Sequence, residues 1–403
     1  MIPPIIRPLF TGKSPKMTPA ACLSAAITIL DSVLAGAPAE RALTNWGRGS
    51  RFAGSGDRAA VRDLVYEALR CRRSRAALGG GETGRGLVIG AFSGRVGEAA
   101  ALCTGTAHAP QPLTRTEAAL LANPPMLDPL VALDCPDWLA PQLATALGPQ
   151  FTPVMSALRH RAPVFLRVNQ RLATPSIAIA ALALEGIVSK PHSLASFALE
   201  VIENTRKIQS SRAFLDGMVE LQDVASQAIV AALPATGRVL DYCAGGGGKA
   251  LALAAAGATV FAHDADPRRM HDLPSRAERA GVRITLLHSG EVLQAGPFDL
   301  VLVDVPCTGS GSWRRAPEAK WSLTAERLAE LLRVQAGILD TAADYVAKLG
   351  YLAYVTCSLL TEENGDQIAA FLRRSPGWAM VSDRTLTPLD GGDGFYLALL
   401  KRE

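Results

Sequence analysis

The chain is poor in the residues that mark metal proteins, disulfide scaffolds and membrane spans. Its seven cysteines, at positions 22, 71, 103, 135, 243, 307 and 357, make no CxxC pair and no metal-ligand spacing, and its six histidines make no HxxxH cluster. Neither a bound metal nor a disulfide framework is expected. No run approaches the roughly 18 uninterrupted apolar residues that a membrane-spanning helix needs. The opening MIPPIIRPLFTGKSPKMTP carries prolines where a signal peptide requires a helical apolar core. A cytoplasmic protein with reduced thiols and no membrane partner is the expectation. Aromatic residues amount to only 5%, which argues against an extended stacking platform for single-stranded nucleic acid.

What is present suits a globular chain of two or three domains: 403 residues, 49% hydrophobic and 19% charged. The net charge of +4 is spread unevenly, because residues 1–75 hold 12 Lys and Arg against 5 Asp and Glu. Such a basic segment suggests an anionic partner, since it concentrates polyanions locally.

From Pro19 to about Leu78 the pattern is helical, with one apolar stripe at Ile27, Leu30, Val33 and Leu34 and another at Val61, Leu64, Val65, Ala68 and Leu69. Arg58, Arg62, Arg70, Arg72, Arg73 and Arg75 surround the second stripe. Residues 80–150 continue as short helices broken at HAPQP, NPP and DCPDW. At Pro163 the texture changes: VFLRVN and FALEVI read as strands, and PSIAIAALALEG as a helix ended by Gly186. LQDVASQAIVAAL then forms a helix, after which strands and helices alternate to the end, as in a doubly wound α/β sheet. The boundaries are placed at 18–150, 151–225 and 226–403.

RVLDYCA, GGGG at 245–248 and KALALAAA make a strand, a tight turn and a helix, the corner at which open α/β sheets bind nucleosides. A phosphate-binding P-loop is excluded, because Cys243 stands at the first glycine position and Ala250 follows Lys249. The next strand, ATVFAH, ends at Asp264, where a carboxylate can accept ribose hydroxyls; Asp266 competes for that role. NAD and S-adenosylmethionine both present such a ribose.

The strand FDLVLVD ends at Asp304, followed by Pro306, Cys307 and a segment TGSG expected to be flexible, then by Arg314, Arg315 and Lys320. YLAYVTC delivers Cys357 in the same way. Both thiols should therefore share the rim of the sheet with the glycine loop. A thiolate beside a cofactor suggests covalent catalysis, for which cytosine is suited: attack at C6 makes C5 nucleophilic towards a sulfonium methyl group.

DYCAGGGGKA, HDADPRRM, FDLVLVDVPCTGSG with RRAPEAKW, YVTCSLLTEENGDQI and DGFYLALLKR resemble, in order, the motifs of the RNA cytosine-C5 methyltransferases of the NOL1/NOP2/Sun group. FLRVN and FLDGMVELQDVASQ resemble that group's small pre-catalytic module, and 18–78, with GDRAAVRDLVYEALR, resembles the NusB-like domain of its bacterial small-subunit rRNA methyltransferase B branch. The resemblance implies a Rossmann-like methyltransferase domain dependent on S-adenosyl-L-methionine, preceded by a small α/β module and an all-helical NusB-like RNA-binding domain. It implies Cys357 as nucleophile and Cys307 as an aid to product release. Asp304 would hold the base's polar edge or the cofactor's amino group, and Lys249 would brace the site. Cys243, Ala244, Gly245, Gly246, Gly247, Gly248, Lys249, Asp264 and Asp304 would line the cofactor, and Arg314, Arg315 and Lys320 would contact the RNA backbone.

Two departures from the group's pattern stand out: AGGGG replaces an APGG loop, and LLHSGEV offers Ser289 where a carboxylate near the adenine is usual. The expected substrate is 16S rRNA, met by a monomer, with tRNA as the alternative. An inactive RNA-binding assembly factor and a nicotinamide oxidoreductase are the competing classes, the latter leaving both cysteine motifs unexplained.

Overall fold

The computed structural model describes residues 17–234 and 237–403. The opening that bears on a signal peptide lies largely outside the described residues, as do three of the basic residues counted above, Arg7, Lys13 and Lys16. The chain forms two compact units: one runs to Ala144 and adds Pro149–Arg161 and Trp313–Ser322, and the other holds Thr145–Gly148, Ala162–Ser312 and Leu323–Glu403.

The first unit is helical. Pro19–Leu34 starts behind Thr18, whose hydroxyl accepts from the Ala21 amide, and is followed by Ala39–Gly49, Ser55–Arg70, Arg72–Gly79 and Gly84–Ile89. A capping box between Thr114 and Glu117 opens Arg115–Ala122. The stripe at Val61, Leu64, Val65, Ala68 and Leu69 is buried as its spacing predicts. In the first helix the buried face is instead Cys22, Leu23, Ala26, Ile29 and Leu30, with Ile27, Val33 and Leu34 half-buried beside it. Small alanines and a cysteine make up much of that face, so the larger residues alone misplace it.

The second unit contains two sheets. The smaller is antiparallel, in the order β2-β3-β1-β4, from β1 (Val164–Val168), β2 (Val188–Pro191), β3 (Ala198–Glu203) and β4 (Val219–Leu221). The larger has seven strands: β5 (Arg238–Asp241), β6 (Thr259–Ala262), β7 (Ile284–Leu286), β8 (Phe298–Asp304), β9 (Val346–Thr356), β10 (Trp378–Leu386) and β11 (Phe395–Arg402). They lie in the order β10-β11-β9-β8-β5-β6-β7, with β11 and β10 antiparallel at one end. Alternation along β8 explains the double layer. Leu300 and Leu302 enter one core with Ala250, Leu251 and Leu253, while Val301 and Val303 enter the other with Leu339 and Phe371. The strand order reverses between β5 and β8, and the crevice beyond their carboxyl ends is where such sheets bind ligands.

The two sheets are tied within this unit. Arg167 of β1 donates to the Gly248 carbonyl at 2.7 Å, and Asn169 to the Ala280 carbonyl at 2.8 Å. β1 thus braces the turn that carries the glycine loop.

Candidate active site

Four elements deliver their ends to one place. The glycine turn after β5 is held by a backbone that only glycine adopts comfortably: Gly247 has φ +75°, and a Cβ there would lie 2.2 Å from Leu273. The Ala244 amide donates to the His263 carbonyl at 2.9 Å and the Gly245 amide to Asp264 Oδ2 at 2.8 Å. Asp264 is buried and its other oxygen accepts from the Asp266 amide at 3.0 Å, while Arg269 pairs with Oδ2 at 3.0 Å. Asp264 therefore anchors the glycine loop. Asp266 is ion-paired to Arg268 on the surface at 2.8 Å.

Lys249 is buried and its Nζ meets Asp304 Oδ2 at 2.5 Å, with the Phe395 ring 5.4 Å away. Burial alone would lower the Lys249 ammonium, but Asp304 and Asp241 outweigh it and hold the charge on. Asp241, at the end of β5, is 1% exposed and neither oxygen makes a hydrogen bond of normal length. Burial pushes its carboxyl up to about 7, with Lys249 opposing and Asp304 adding to the rise. Cys243 is pushed up by burial and by Asp241, Asp304 and Asp264, and stays a neutral thiol.

The loop after β8 and the end of β9 bring the Cys307 and Cys357 sulfurs to 3.5 Å. Cys357 is lowered by the hydrogen bond from Cys307 and by Lys249, with the Ser312 hydroxyl within 4.0 Å, against the opposing effects of burial and Asp304. Cys307 is raised by that same bond and by burial. The surroundings make the pair asymmetric: the charge of Lys249 favours a thiolate at Cys357, whereas the charge of Glu363 opposes one at Cys307. The four remaining cysteines are buried.

The TGSG segment, expected to be flexible, is fixed: Thr308 is 5% and Ser310 0% exposed. The Gly311 amide donates to the Cys357 carbonyl and the Gly394 amide to the Gly311 carbonyl, both at 2.9 Å. A Cβ on Gly311 would lie 2.4 Å from the Gly394 carbonyl oxygen, so the strand-like approach requires glycine.

The basic residues beyond this loop need correction. Arg314 and Lys320 are buried, not presented to a phosphate backbone; only Arg315 is exposed. In the helical unit Lys320 Nζ donates to the Arg70 carbonyl at 3.2 Å, Trp321 Nε1 to the Leu69 carbonyl at 2.6 Å, and Arg70 Nε to the Arg314 carbonyl at 2.6 Å. They satisfy the open carbonyls at the end of helix Ser55–Arg70. Burial pulls Lys320 down to about 8. The arginines around the second stripe are also largely engaged: Arg62 with Glu40 at 2.7 Å, Arg73 with Asp137 at 2.8 Å, Arg75 with Glu67 at 3.2 Å, and Arg72 with Glu82.

Several residues escaped the sequence reading. Asp241 ends an apolar strand just before the glycine loop, a position that could have marked it. His263 was also missed: its Nε2 meets the hydroxyl of Ser289, the residue already noted in place of the usual carboxylate, at 2.9 Å, and its ring stacks on Tyr242 at 4.5 Å. Glu363, in TEEN, reads as an exposed acid yet is 0% exposed. Among the described residues no cluster of His, Cys, Asp and Glu could hold a metal ion, and no helix is long and apolar enough to cross a membrane.

These residues fit a nucleoside cofactor with a cationic group: the unsatisfied Asp241 carboxylate is an acceptor for an ammonium, and a glycine turn leads into the helix Gly248–Ala255 beside the crevice. Residues 228–393 match the family model 16S rRNA methyltransferase RsmB/F, and 135–208 match the RsmF/B-like ferredoxin-like domain. Ribosomal RNA small subunit methyltransferase B of Salmonella arizonae is 34% identical over 282 residues, which cover 66% of this chain and 66% of that protein. The match therefore spans about two thirds of the relative's length. Among solved structures, PH0851 superimposes with a TM-score of 0.73 at 21% identity, covering 96% of this chain and 99% of its own. NSun6 from Pyrococcus horikoshii with SFG gives 0.59 at 16% identity, covering 66% and 98%. The fold is thus a Rossmann-like methyltransferase domain with a ferredoxin-like domain, and the chain belongs to the RsmB/F family of rRNA methyltransferases.

Proposed function

We propose that the protein methylates C5 of a cytosine in 16S rRNA, using S-adenosyl-L-methionine and a transient bond between Cys357 and the base. The observation that carries this reading is the pair of sulfurs 3.5 Å apart where β8 and β9 end, beside the Lys249–Asp304 pair and the glycine loop. Bound S-adenosylmethionine supplies an electrophilic methyl group. Asp241 is placed to accept from its ammonium, and Asp264 from its ribose as well as from the loop. Asp304, braced by Lys249, faces the base or the cofactor's amino group.

The thiolate of Cys357 adds to C6, and the electron density moved to C5 makes that carbon the nucleophile for methyl transfer. A water molecule then takes the C5 proton, the C5–H electron pair re-forms the C5–C6 double bond, and the C6–S pair leaves on sulfur to return the thiolate. A hydrogen bond from Cys307 and the charge of Lys249 make that sulfur a better leaving group, which gives Cys307 its role in release. A stacked cytosine hides its C5–C6 edge, so the target must be flipped out or already unpaired, at a few kcal/mol when stacked.

In the same reading the helical unit is a NusB-like RNA-binding domain that grips folded rRNA through phosphates, with Arg315 at its edge, in a cytoplasmic and monomeric enzyme. With Lys320 and Arg314 withdrawn into the unit, the candidate phosphate contacts are the exposed Arg41, Arg48, Arg51 and Arg58; Arg62 is exposed as well but paired with Glu40, and Phe52 in the same stretch is 64% exposed.

The test uses tritiated S-adenosylmethionine and unmodified 16S rRNA or tRNA, with denaturing gels and nucleoside analysis. Wild type should give 5-methylcytidine, Cys357→Ala none, and Cys307→Ala a protein–RNA adduct that survives denaturation. An adduct in Cys357→Ala would reverse the two roles; RNA binding without methyl transfer to either RNA would leave a binding factor in place of an enzyme.

A further inference from the structure

We propose that Glu363 is a positioning residue whose buried carboxylate sets the separation of the two reacting thiols; the inference rests on the function proposed above. The residue that follows each cysteine is tied to this one group. Thr308, next to Cys307, donates its amide to Glu363 Oε1 at 2.9 Å and its hydroxyl to Oε2 at 2.5 Å. Ser358, next to Cys357, donates its hydroxyl to the same Oε2. Gln335, from the helix Ala325–Ala343, donates to Oε1 at 2.9 Å and to the carbonyl of Pro306, the residue before Cys307, at 3.0 Å. The side chains of Thr308, Ser358, Gln335 and Glu363 are all buried.

Further bonds hold the backbone of Glu363 and the groups that donate to it. The Tyr354 hydroxyl donates to the Glu363 carbonyl at 2.6 Å, and Asn364 Nδ2 to the Ser358 carbonyl at 3.0 Å. Ser310 and Ser358 hydroxyls meet at 3.1 Å, and the Leu359 amide donates to Ser310 Oγ at 2.7 Å. A carboxylate sealed from water is costly unless donors surround it. Once surrounded, it gives short, charge-assisted bonds that resist displacement. The two cysteine loops therefore move as one piece. The consequence reaches chemistry through the Cys307–Cys357 bond, which lowers Cys357 and raises Cys307 and exists only while the sulfurs stay near 3.5 Å.

The experiment compares wild type, Glu363→Gln, Thr308→Val and Thr308→Ser in the full chain. RNA-free protein is treated with diamide, which takes two electrons and two protons from a thiol pair and becomes the hydrazine as the Cys307–Cys357 disulfide forms. The rate is read by mass spectrometry of the linked peptides. Melting curves, S-adenosylhomocysteine binding by calorimetry, and kcat and KM for RNA are measured alongside. Disulfide formation should slow about tenfold in Glu363→Gln and Thr308→Val and stay near wild type in Thr308→Ser. The same two variants should lose about a hundredfold in kcat with little change in KM or in S-adenosylhomocysteine affinity, as expected for a misplacement of the order of 1 Å. A folded Glu363→Gln protein that forms the disulfide at the wild-type rate overturns the proposal. If Glu363→Gln does not fold, the contrast between valine and serine at 308 decides it. If wild type methylates no RNA while the disulfide rates still separate, the enzymatic reading falls and the clamp remains.

Discussion

At the scale of single residues, the site is a set of charges assigned by burial. Asp241, Lys249 and Asp304 share a nearly dry corner, and the group without hydrogen bonds is the one whose acidity moves furthest towards neutrality. This has a measurable sign. The Asp241 carboxyl is raised from 3.8 to about 7, so between those values the unfolded chain has released its proton while the folded chain still holds it. Stability contributed by this group is complete below about pH 4 and is lost as the pH climbs through 7. In cofactor-free protein, Asp241→Asn should melt at a temperature that rises relative to wild type across that window and levels off above it. Parallel pH profiles for the two proteins would refute the assignment. The sequence made Cys307, Cys357, Asp304 and Lys249 legible because each ends or follows an apolar strand or a glycine turn. Glu363 was not legible, since a carboxylate in TEEN looks solvated until a serine and a threonine from the two cysteine motifs are seen to donate to it.

At the scale of elements, the legible features were those with strong period or punctuation. The continuous apolar runs of β8 and β9, the helix Pro175–Leu184 with Gly186 beyond it at φ +73°, and the breaks around HAPQP and NPP all follow their sequence signals. The short strands β2 and β4 have no comparable pattern and were invisible. The first helix shows the reverse failure, because its core face is built of alanine and cysteine and its bulkier residues lie half out. The segment RRAPEAKW misled for another reason: cations near an active site suggest RNA contacts, whereas here they end a helix. Trp321→Phe keeps the ring and removes the N–H that meets the Leu69 carbonyl at 2.6 Å. It should cost about 1 kcal/mol and lower the melting temperature by a few degrees, without altering affinity for S-adenosylhomocysteine. An unchanged melting curve would show that water replaces the bond.

At the scale of the whole molecule, the surplus of positive charge read from residues 1–75 overstated the surface available to RNA. Of the nine basic residues described there, Arg70 and Arg75 are buried, Arg62 is paired with Glu40, and Arg72 and Arg73 are paired with Glu82 and Asp137 from beyond the segment. The remaining exposed cations give a sharper expectation. Replacing Arg41, Arg48 and Arg51 with glutamine should weaken RNA binding and flatten its dependence on salt by roughly one unit of logarithmic slope for each phosphate left without its arginine. Melting temperature should not move, because none of the three is buried. An unaltered salt slope would place the RNA on another face.

The helical unit includes Trp313–Ser322, and the carbonyls of Leu69 and Arg70 wait for partners 252 and 250 residues further along the chain. During translation, then, the amino-terminal half leaves the ribosome without the piece that finishes it. Domains generally fold in the order they are made; this one completes only when the middle of the catalytic sequence has been synthesised. A nascent chain stalled before that point carries an open helix end, and a gene cut between the apparent modules cannot yield a finished helical unit.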